Sequence, residues 1–524
     1  MDNILTLQDL EEILHSRIKD DQFKTLKSLP QPNSFKDMTK ATKRIVQAIK
    51  ENEMINLVGD YDVDGISSTT IMVEFFNALG VEINYIIPNR FEHGYGLSPI
   101  ILEQIHEGII ITVDNGISAI EAANICKQRG LDLIITDHHT VSNILPDCYA
   151  IINPKQSDCT FPFKEICGAQ VAWYLCASIK NELNFKYNLM ELFDILALAI
   201  VADIMPMVSL NQTMVKVGLN SLKNSNRPAI VAIKQRYNLI NITEEDIGFK
   251  IAPLINCAGR MSDPIIALEF LLSNNEFEAN EQLDYLIELN EQRKQDQLKI
   301  FNEAKAQVDD EDKVIVVASQ SWNEGIIGIV ASKLCEKYKK PAFVFTINDN
   351  TAKASSRSTA NTHLYNLISS CSELLSGFGG HKQAAGLSLE TKNLEKFKEQ
   401  VNINIDTLPK EKEDTNSNAL GNFCINHVNE IAYNLIESYR PYGITNPYPI
   451  FAFKNMELIS LIKMGKNKEF TKLIVSNDMN TIEVVIFVDF VEVNIGDRLN
   501  FTATISKNEF RGEVKFNLML KELL

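Results

Sequence analysis

Between residues 55 and 153 the apolar positions switch between two periods. Short unbroken apolar runs predict strands at 55–58, 82–87, 109–113, 132–136 and 150–152. Helical spacing fills the gaps over 66–79, 98–107 and 117–129; Ile71, Phe75 and Leu79 mark one face of the first, which Gly80 ends. Buried strands separated by helices predict a parallel sheet covered on both faces.

The remaining chain reads differently in each part. Residues 1–50 look helical and polar, with a break at Pro30 and Pro32, and 168–250 looks mostly helical. Within the latter, 192–207 is a strongly apolar helix carrying Asp203. Residues 265–308 read as one long helix with Leu283, Leu286 and Ile287 on an apolar face. Its stretch 290–297 is polar all round, the pattern of a helix bridging domains through solvent. A second α/β region begins near 314 and runs to about 405, and 406–418 has linker composition. Alternating strands at 481–488, 498–505 and 515–520 predict a small β-barrel. The expected units are a parallel-sheet domain with its helical N-terminal segment (1–263), a linking helix (264–308), a second α/β domain (309–405), a linker (406–420) and a barrel (421–524).

Acidic residues collect where the predicted strands end. Asp60, Asp62 and Asp64 alternate in the turn after the first strand, Asp114 follows the third, and Asp137-His138-His139 follows the fourth. Parallel strands point one way, so all seven should share the carboxyl edge, where open α/β sheets build their sites. Three carboxylates in one turn call for a cation, although a solvated acidic turn has the same sequence. Paired histidines can simply cap a loop, and Asp203 could be an N-cap or an ion-pair partner. An ionised carboxylate in so apolar a helix is costly unless paired or metal-bound.

Composition adds bounds. The 524 residues exceed one core, and 45% hydrophobic with 23% charged residues is ordinary for a globular protein. Nine cysteines without a C-x-x-C pair suggest reduced thiols and a cytoplasmic setting. No signal peptide or membrane span is expected. The net charge of −17 argues against a general polyanion binder, yet screening leaves room for a local basic groove.

With these residues in view, the chain resembles the RecJ family of single-strand-specific exonucleases, in the DHH phosphoesterase superfamily. The resemblance covers nearly the whole length. It rests on GDYDVDGISS (59–68), VDNG (113–116), DHHT (137–140), VADIMP (201–206), NCAGRMSDP (256–264), EGIIGIVASKL (324–334), SSRS (355–358), GGHKQAAG (379–386) and RPYGITNPYPIF (440–451). It implies a DHH domain, a DHH-associated domain across a cleft, and a C-terminal OB-like barrel. It also implies two divalent ions, Mn²⁺ or Mg²⁺, with Asp60, Asp62, Asp64, Asp114, Asp137, His138 and Asp203 as ligands and Asp114 as the bridge. Oxygen ligands with imidazole suit manganese better than calcium, and the lack of thiolates disfavours structural zinc. The implied catalytic set is Asp62, Asp64, Asp114, Asp137, His138, His139 and Asp203. Arg260, Ser355, Arg357, His381 and Gly380 match substrate-phosphate positions. In the barrel, Lys463, Lys466, Lys468 and Lys472 form either a strand-binding cluster or a solvated loop.

The implied activity is 5′→3′ hydrolysis of single-stranded DNA from its 5′ end in repair and recombination. The implied setting is a cytoplasmic monomer working with a single-strand-binding protein and a DNA helicase, without a membrane. Two alternatives stand beside it: a DHH phosphodiesterase acting on short oligoribonucleotides or cyclic dinucleotides, and a scaffold that has lost its ligands. Two positions depart from the family pattern: Asn323 stands in Trp322-Asn323-Glu324-Gly325 where the family usually has histidine, and Cys257 replaces a usual alanine.

Overall fold

The computed structural model describes residues 4–18, 22–359, 361–409, 419–465, 470–487, 493–510 and 512–524. Five strands, β1 (Ile55–Val58), β2 (Asn84–Ile86), β3 (Ile109–Val113), β4 (Leu133–Thr136) and β5 (Ala150–Ile152), form the first sheet in the order β2-β1-β3-β4-β5. Every pairing is parallel. Side-chain alternation divides its faces: Leu57, Ile109, Ile111 and Val113 enter one core, whereas Val58, Ile110, Ile135 and Ile151 enter another. The larger core is closed by the helices Met38–Glu51, Val63–Leu79 and Gly168–Leu183.

The helix expected over 98–107 is only one turn, Pro99–Leu102, capped by Ser98 and started by Pro99. The apolar helix ends at Ala202, so Asp203 is its C-cap rather than an interior residue.

The long helix is also shorter than expected. Ile265–Leu271 and Glu276–Lys305 are separate helices. Between them the Ser273 hydroxyl donates to the Glu269 and Phe270 carbonyls, and Asn275 restarts the chain by accepting the Glu278 amide. Leu283 and Leu286 pack in the first domain's core, Ile300 and Ala304 in the second's, so this helix joins the two. One side of its polar middle is not solvated, although Glu291, Gln292, Lys294 and Gln295 remain exposed. Asn290 and Gln297 are only 6% and 7% exposed, and both accept hydrogen bonds of 3.0 Å from Arg293. The side chains satisfy one another, which a count of polar positions does not show.

The second sheet contains β6 (Ile315–Ser319), β7 (Ala342–Asn348), β8 (Thr351–Arg357), β9 (Leu375–Gly380) and β10 (Ala384–Glu390), in the order β6-β7-β8-β10-β9. Only β6 and β7 run parallel. Residues 410–418 of the expected linker lie outside the described residues.

The C-terminal barrel closes with five strands, two more than expected: β11 (Phe451–Met464), β12 (Phe470–Ser476), β13 (Thr481–Ile486), β14 (Arg498–Phe510) and β15 (Glu513–Leu523). The parallel β13–β15 pair completes the closure. The N-terminal helix Leu7–Ser16, expected with the first domain, instead buries Leu10 and Leu14 in the barrel domain's core. Its Arg17 donates to Asn446 and to the Pro447 carbonyl. The barrel domain is further tied to the first domain by buried Glu244, which accepts from Arg440 and from the Tyr442 amide, and by the Met207 amide, which donates to Ile444 at 2.7 Å. Among the described residues, no helix is long and apolar enough to cross a membrane.

Candidate metal and phosphate site

The turn after β1 is compressed by its sequence. A Cβ at Gly59 would meet the Thr69 hydroxyl at 2.3 Å, and one at Gly65 would meet Asp60 at 2.5 Å. That contact holds the Asp60–Asp64 turn against the start of the helix Val63–Leu79. Asp62 caps this helix with Oδ1, accepting the Asp64 and Gly65 amides at 2.9 and 3.1 Å. Asp64 is held from the far side: the Gly168 and Ala169 amides, at the N-terminus of Gly168–Leu183, donate to its two oxygens at 2.6 and 2.8 Å.

Asn115 stitches the ends of β1 and β3 together by donating to the Val58, Gly59 and Val113 carbonyls. Asp114 beside it adopts a left-handed backbone, φ +61°, which turns its carboxylate over the edge.

His138 lies at the centre. Its Nε2 is 3.1 Å from Asp114 Oδ1 and 3.6 Å from both Asp64 Oδ2 and Asp203 Oδ2. Three overlapping sets result: Asp60–Asp62–Asp114, Asp64–His138–Asp203 and Asp114–His138–His139. In each, the possible ligand atoms lie within 4.8 Å of one another. Asp114 belongs to two sets, the position of a bridge.

Electrostatics supports cations here. Burial, then the neighbouring carboxylates, raises the pKa of Asp114 well above the ordinary range, and Asp60 is raised by burial and by Asp62. Asp203 is pushed up to about 8 by burial, Asp64 and Asp62. Asp60 Oδ1, Asp114 Oδ1, Asp203 Oδ2 and both His138 ring nitrogens are buried without a hydrogen-bond partner. Orphaned acceptors and crowded carboxylates are what bound dications would satisfy, so the residues fit the group.

Asp137, expected as a ligand, belongs to none of the three sets, and its oxygens bond within its own part of the edge. Oδ1 accepts the His138 and His139 amides and pairs with His139 Nδ1 at 2.7 Å, while Oδ2 accepts the Ile117 amide at 2.8 Å. It thereby fixes the His139 ring. Burial opposes charging of His139, but the bond to Asp137 and the charges of Asp137, Asp203 and Asp60 outweigh it, raising its pKa to about 9.

Between the two domains, a cavity of about 430 Å³ is lined by Tyr61, Arg90, Tyr95 and Arg260 from the first and Ser355 and Arg357 from the second, among others. A Cβ at Gly325 would meet the Arg260 carbonyl at 2.1 Å, and Arg260 donates back to the Gly325 carbonyl at 3.1 Å. Burial and the nearby Arg90 guanidinium draw the Arg260 pKa down to about 10, against the pull of Asp62. This is a crowd of cations beside a crowd of acids. Gly380 and His381 line a second cavity of about 900 Å³ with His139, Ser355 and Arg357, on the other side of Tyr95. Asn323 acts locally, capping the helix Glu324–Tyr338 by accepting the Gly325 amide at 2.7 Å.

Arg90 and Tyr95 belong to none of the motifs singled out in the sequence. Arg90 stacks 4.3 Å over the Tyr61 ring, and its Nε is buried without a partner. Burial and the charges of Asp60 and Asp114 hold the Tyr95 hydroxyl protonated. The available signal was position, since both follow β2 at the edge used by β1, β3 and β4. The lysine cluster dissolves in part. Lys472 pairs with Glu483, Lys463 donates to Thr471, and Lys466 and Lys468 lie outside the described residues.

A parallel sheet with an acid-lined edge, facing a second α/β domain across a cavity that both domains line with cations, defines the DHH class of two-domain proteins. Residues 54–200 match the DHH family, N-terminal domain, residues 311–406 the DHHA1 domain, and residues 422–522 the RecJ OB domain. The chain belongs to the RecJ family. It is 30% identical over 534 residues to the single-stranded-DNA-specific exonuclease RecJ of Haemophilus influenzae, covering 95% of this chain and 92% of that protein. The RecJ of Bacillus subtilis is 34% identical over 510 residues, and the match covers 94% of this chain but 64% of that relative. A crystal structure of Thermus thermophilus RecJ in complex with Mn²⁺ superposes with a TM-score of 0.84 at 25% identity, covering 98% of this chain and 76% of that one.

Proposed function

We propose that this chain is a divalent-metal-dependent 5′→3′ exonuclease of single-stranded DNA. The observation that carries this reading is adjacency. Arg90, Arg260 and Arg357 converge on one cavity next to the acidic cluster, so a terminal phosphate held there leaves the next phosphodiester over the carboxylates.

Asp60, Asp62, Asp64, Asp114, His138 and Asp203 would hold two ions, Mn²⁺ or Mg²⁺, which supply an activated water and charge neutralisation at the phosphate. The protein's own groups do the rest. Asp114 is shared by two of the three ligand sets, Asp64 is fixed by the helix amides, and Asp62 is fixed by its own cap. Asp137 holds His139 with Nδ1 inward, which leaves Nε2 to donate to a phosphate oxygen. The guanidiniums and Ser355 bind the terminal phosphate and set strand polarity, while Gly380 and His381 line the path beyond.

The barrel, fixed to the catalytic domain by Glu244 and by the N-terminal helix, offers a long strand a second hold that a dinucleotide would not need. This supports a long single strand over short oligoribonucleotides or cyclic dinucleotides. Work as a cytoplasmic monomer beside a helicase and a single-strand-binding protein, in repair and recombination, fits that substrate. Digestion of long single-stranded DNA against duplex and dinucleotide substrates, with and without Mn²⁺, tests the reading; preference for a dinucleotide would overturn it.

A further inference from the structure

The terminal-phosphate cavity is larger than its proposed occupant. At about 430 Å³ it could hold about fourteen waters at roughly 30 Å³ each, several times the space of one phosphate group. Its cationic lining also continues outward. Residues 353, 355 and 357 of β8 fall on one face of the strand, and Lys353, Ser355 and Arg357 all line the same cavity. From 353 to 357 that face runs about 13 Å. Ser355 and Arg357 also border the second cavity beside His139, whereas Lys353 borders only the first, which places Lys353 at the end away from the acidic cluster.

The helix Glu324–Tyr338 lines the same cavity with Gly325 and Gly328, beside Ile327 and, at its start, Glu324. A Cβ at Gly328 would meet Ser355 Oγ at 2.8 Å and Arg357 Nη2 at 3.5 Å, so the helix Glu324–Tyr338 lies close over this row. At the outer end Lys353, half exposed, pairs with both oxygens of Glu324 at 3.4 and 3.3 Å. A surface pair of that kind contributes little to stability, so its breaking would cost little.

We propose that the cavity accepts single strands whose 5′ end carries a triphosphate, with Lys353 binding the outer phosphates after leaving Glu324. This deepens the proposed exonuclease reading and rests on it. The innermost phosphate takes the place of an ordinary terminal phosphate among Arg90, Arg260 and Arg357, and the outer two extend past Ser355. Water adds to the phosphorus of the first internucleotide linkage and its P–O3′ bond breaks. The 3′ oxygen leaves with a proton, giving a nucleoside triphosphate and a shortened strand. That strand begins with a plain 5′ phosphate, so every later round uses the ordinary end.

The test compares one DNA oligonucleotide bearing a 5′ triphosphate or a 5′ monophosphate, with full-length protein and Mn²⁺. The wild type should digest both, releasing a nucleoside triphosphate first from the former. Lys353→Gln should lower the triphosphate-to-monophosphate ratio of kcat/KM about tenfold, the low end for a charged hydrogen bond at a half-exposed site. Lys353→Arg should restore the ratio. An unchanged ratio in Lys353→Gln overturns the proposal, as does a wild type that digests only the monophosphate strand. Failure on both strands overturns the exonuclease reading, and this inference with it.

Discussion

His138 Nε2 lies 3.1 Å from Asp114 Oδ1, and neither atom has a hydrogen-bond partner. Two buried polar atoms so close and so unsatisfied need a third party. Asp114→Asn should therefore abolish the response to metal. For the wild type, Mn²⁺ at 100 times its dissociation constant contributes about 2.7 kcal/mol, or roughly 5–10 °C in Tm for a domain of this size. Thermal melts with and without Mn²⁺ should show that shift in the wild type and none in the variant.

Polarity should reside in the guanidiniums. Arg357→Ala and Arg90→Ala should slow digestion of 5′-phosphorylated strands about tenfold to a hundredfold, from roughly 1.5–3 kcal/mol per lost charged hydrogen bond. Strands with a 5′ hydroxyl should be slowed much less, since they never make those bonds. Rates for both ends on one oligonucleotide check this; equal slowing would mean the two residues serve only the general backbone path.

Because Leu10 and Leu14 belong to the barrel domain's core, truncation at one end strands the other. A chain ending at 419 should expose that helix and aggregate, whereas residues 22–409 should stay monomeric and digest short strands. On long strands the double truncation should weaken binding and flatten its salt dependence, by about 0.7 in log–log slope per lost phosphate contact. Size-exclusion chromatography and salt titrations measure both effects.

Asn323→Ala should lower stability by about 1 kcal/mol through loss of the helix cap, while Asn323→Ser should not. Urea melts of the two variants separate capping from catalysis, since neither should change the preference for a 5′ phosphate.

Much of the fold and the acidic edge was legible because period and direction suffice to place them. Buried strands of four or five residues imply a parallel sheet, and a parallel sheet gathers the residues that follow β1, β3 and β4. What escaped depends on pairing in space. Asp137 reads only as a candidate ligand in its motif, and its bonds to the Ile117, His138 and His139 amides and the His139 ring leave no trace there. Asn290, Arg293 and Gln297 read as a solvated helix because mutual hydrogen bonding leaves no trace in a polar count. The N-terminal helix joins a domain some four hundred residues away, beyond what local periodicity records. Arg90 lies in the loop after β2, where no acid or histidine marks the strand end as it does after β1, β3 and β4.

The most direct test is the order in which ends disappear. A single-stranded DNA labelled at the 5′ end, digested with Mn²⁺, should release its label as a mononucleotide at once, while the same strand labelled at the 3′ end should keep its label until digestion is nearly complete. Chelation of the metal should stop both. Early loss of the 3′ label, internal fragments, or digestion that continues in chelator would contradict a metal site read from the terminal-phosphate cavity.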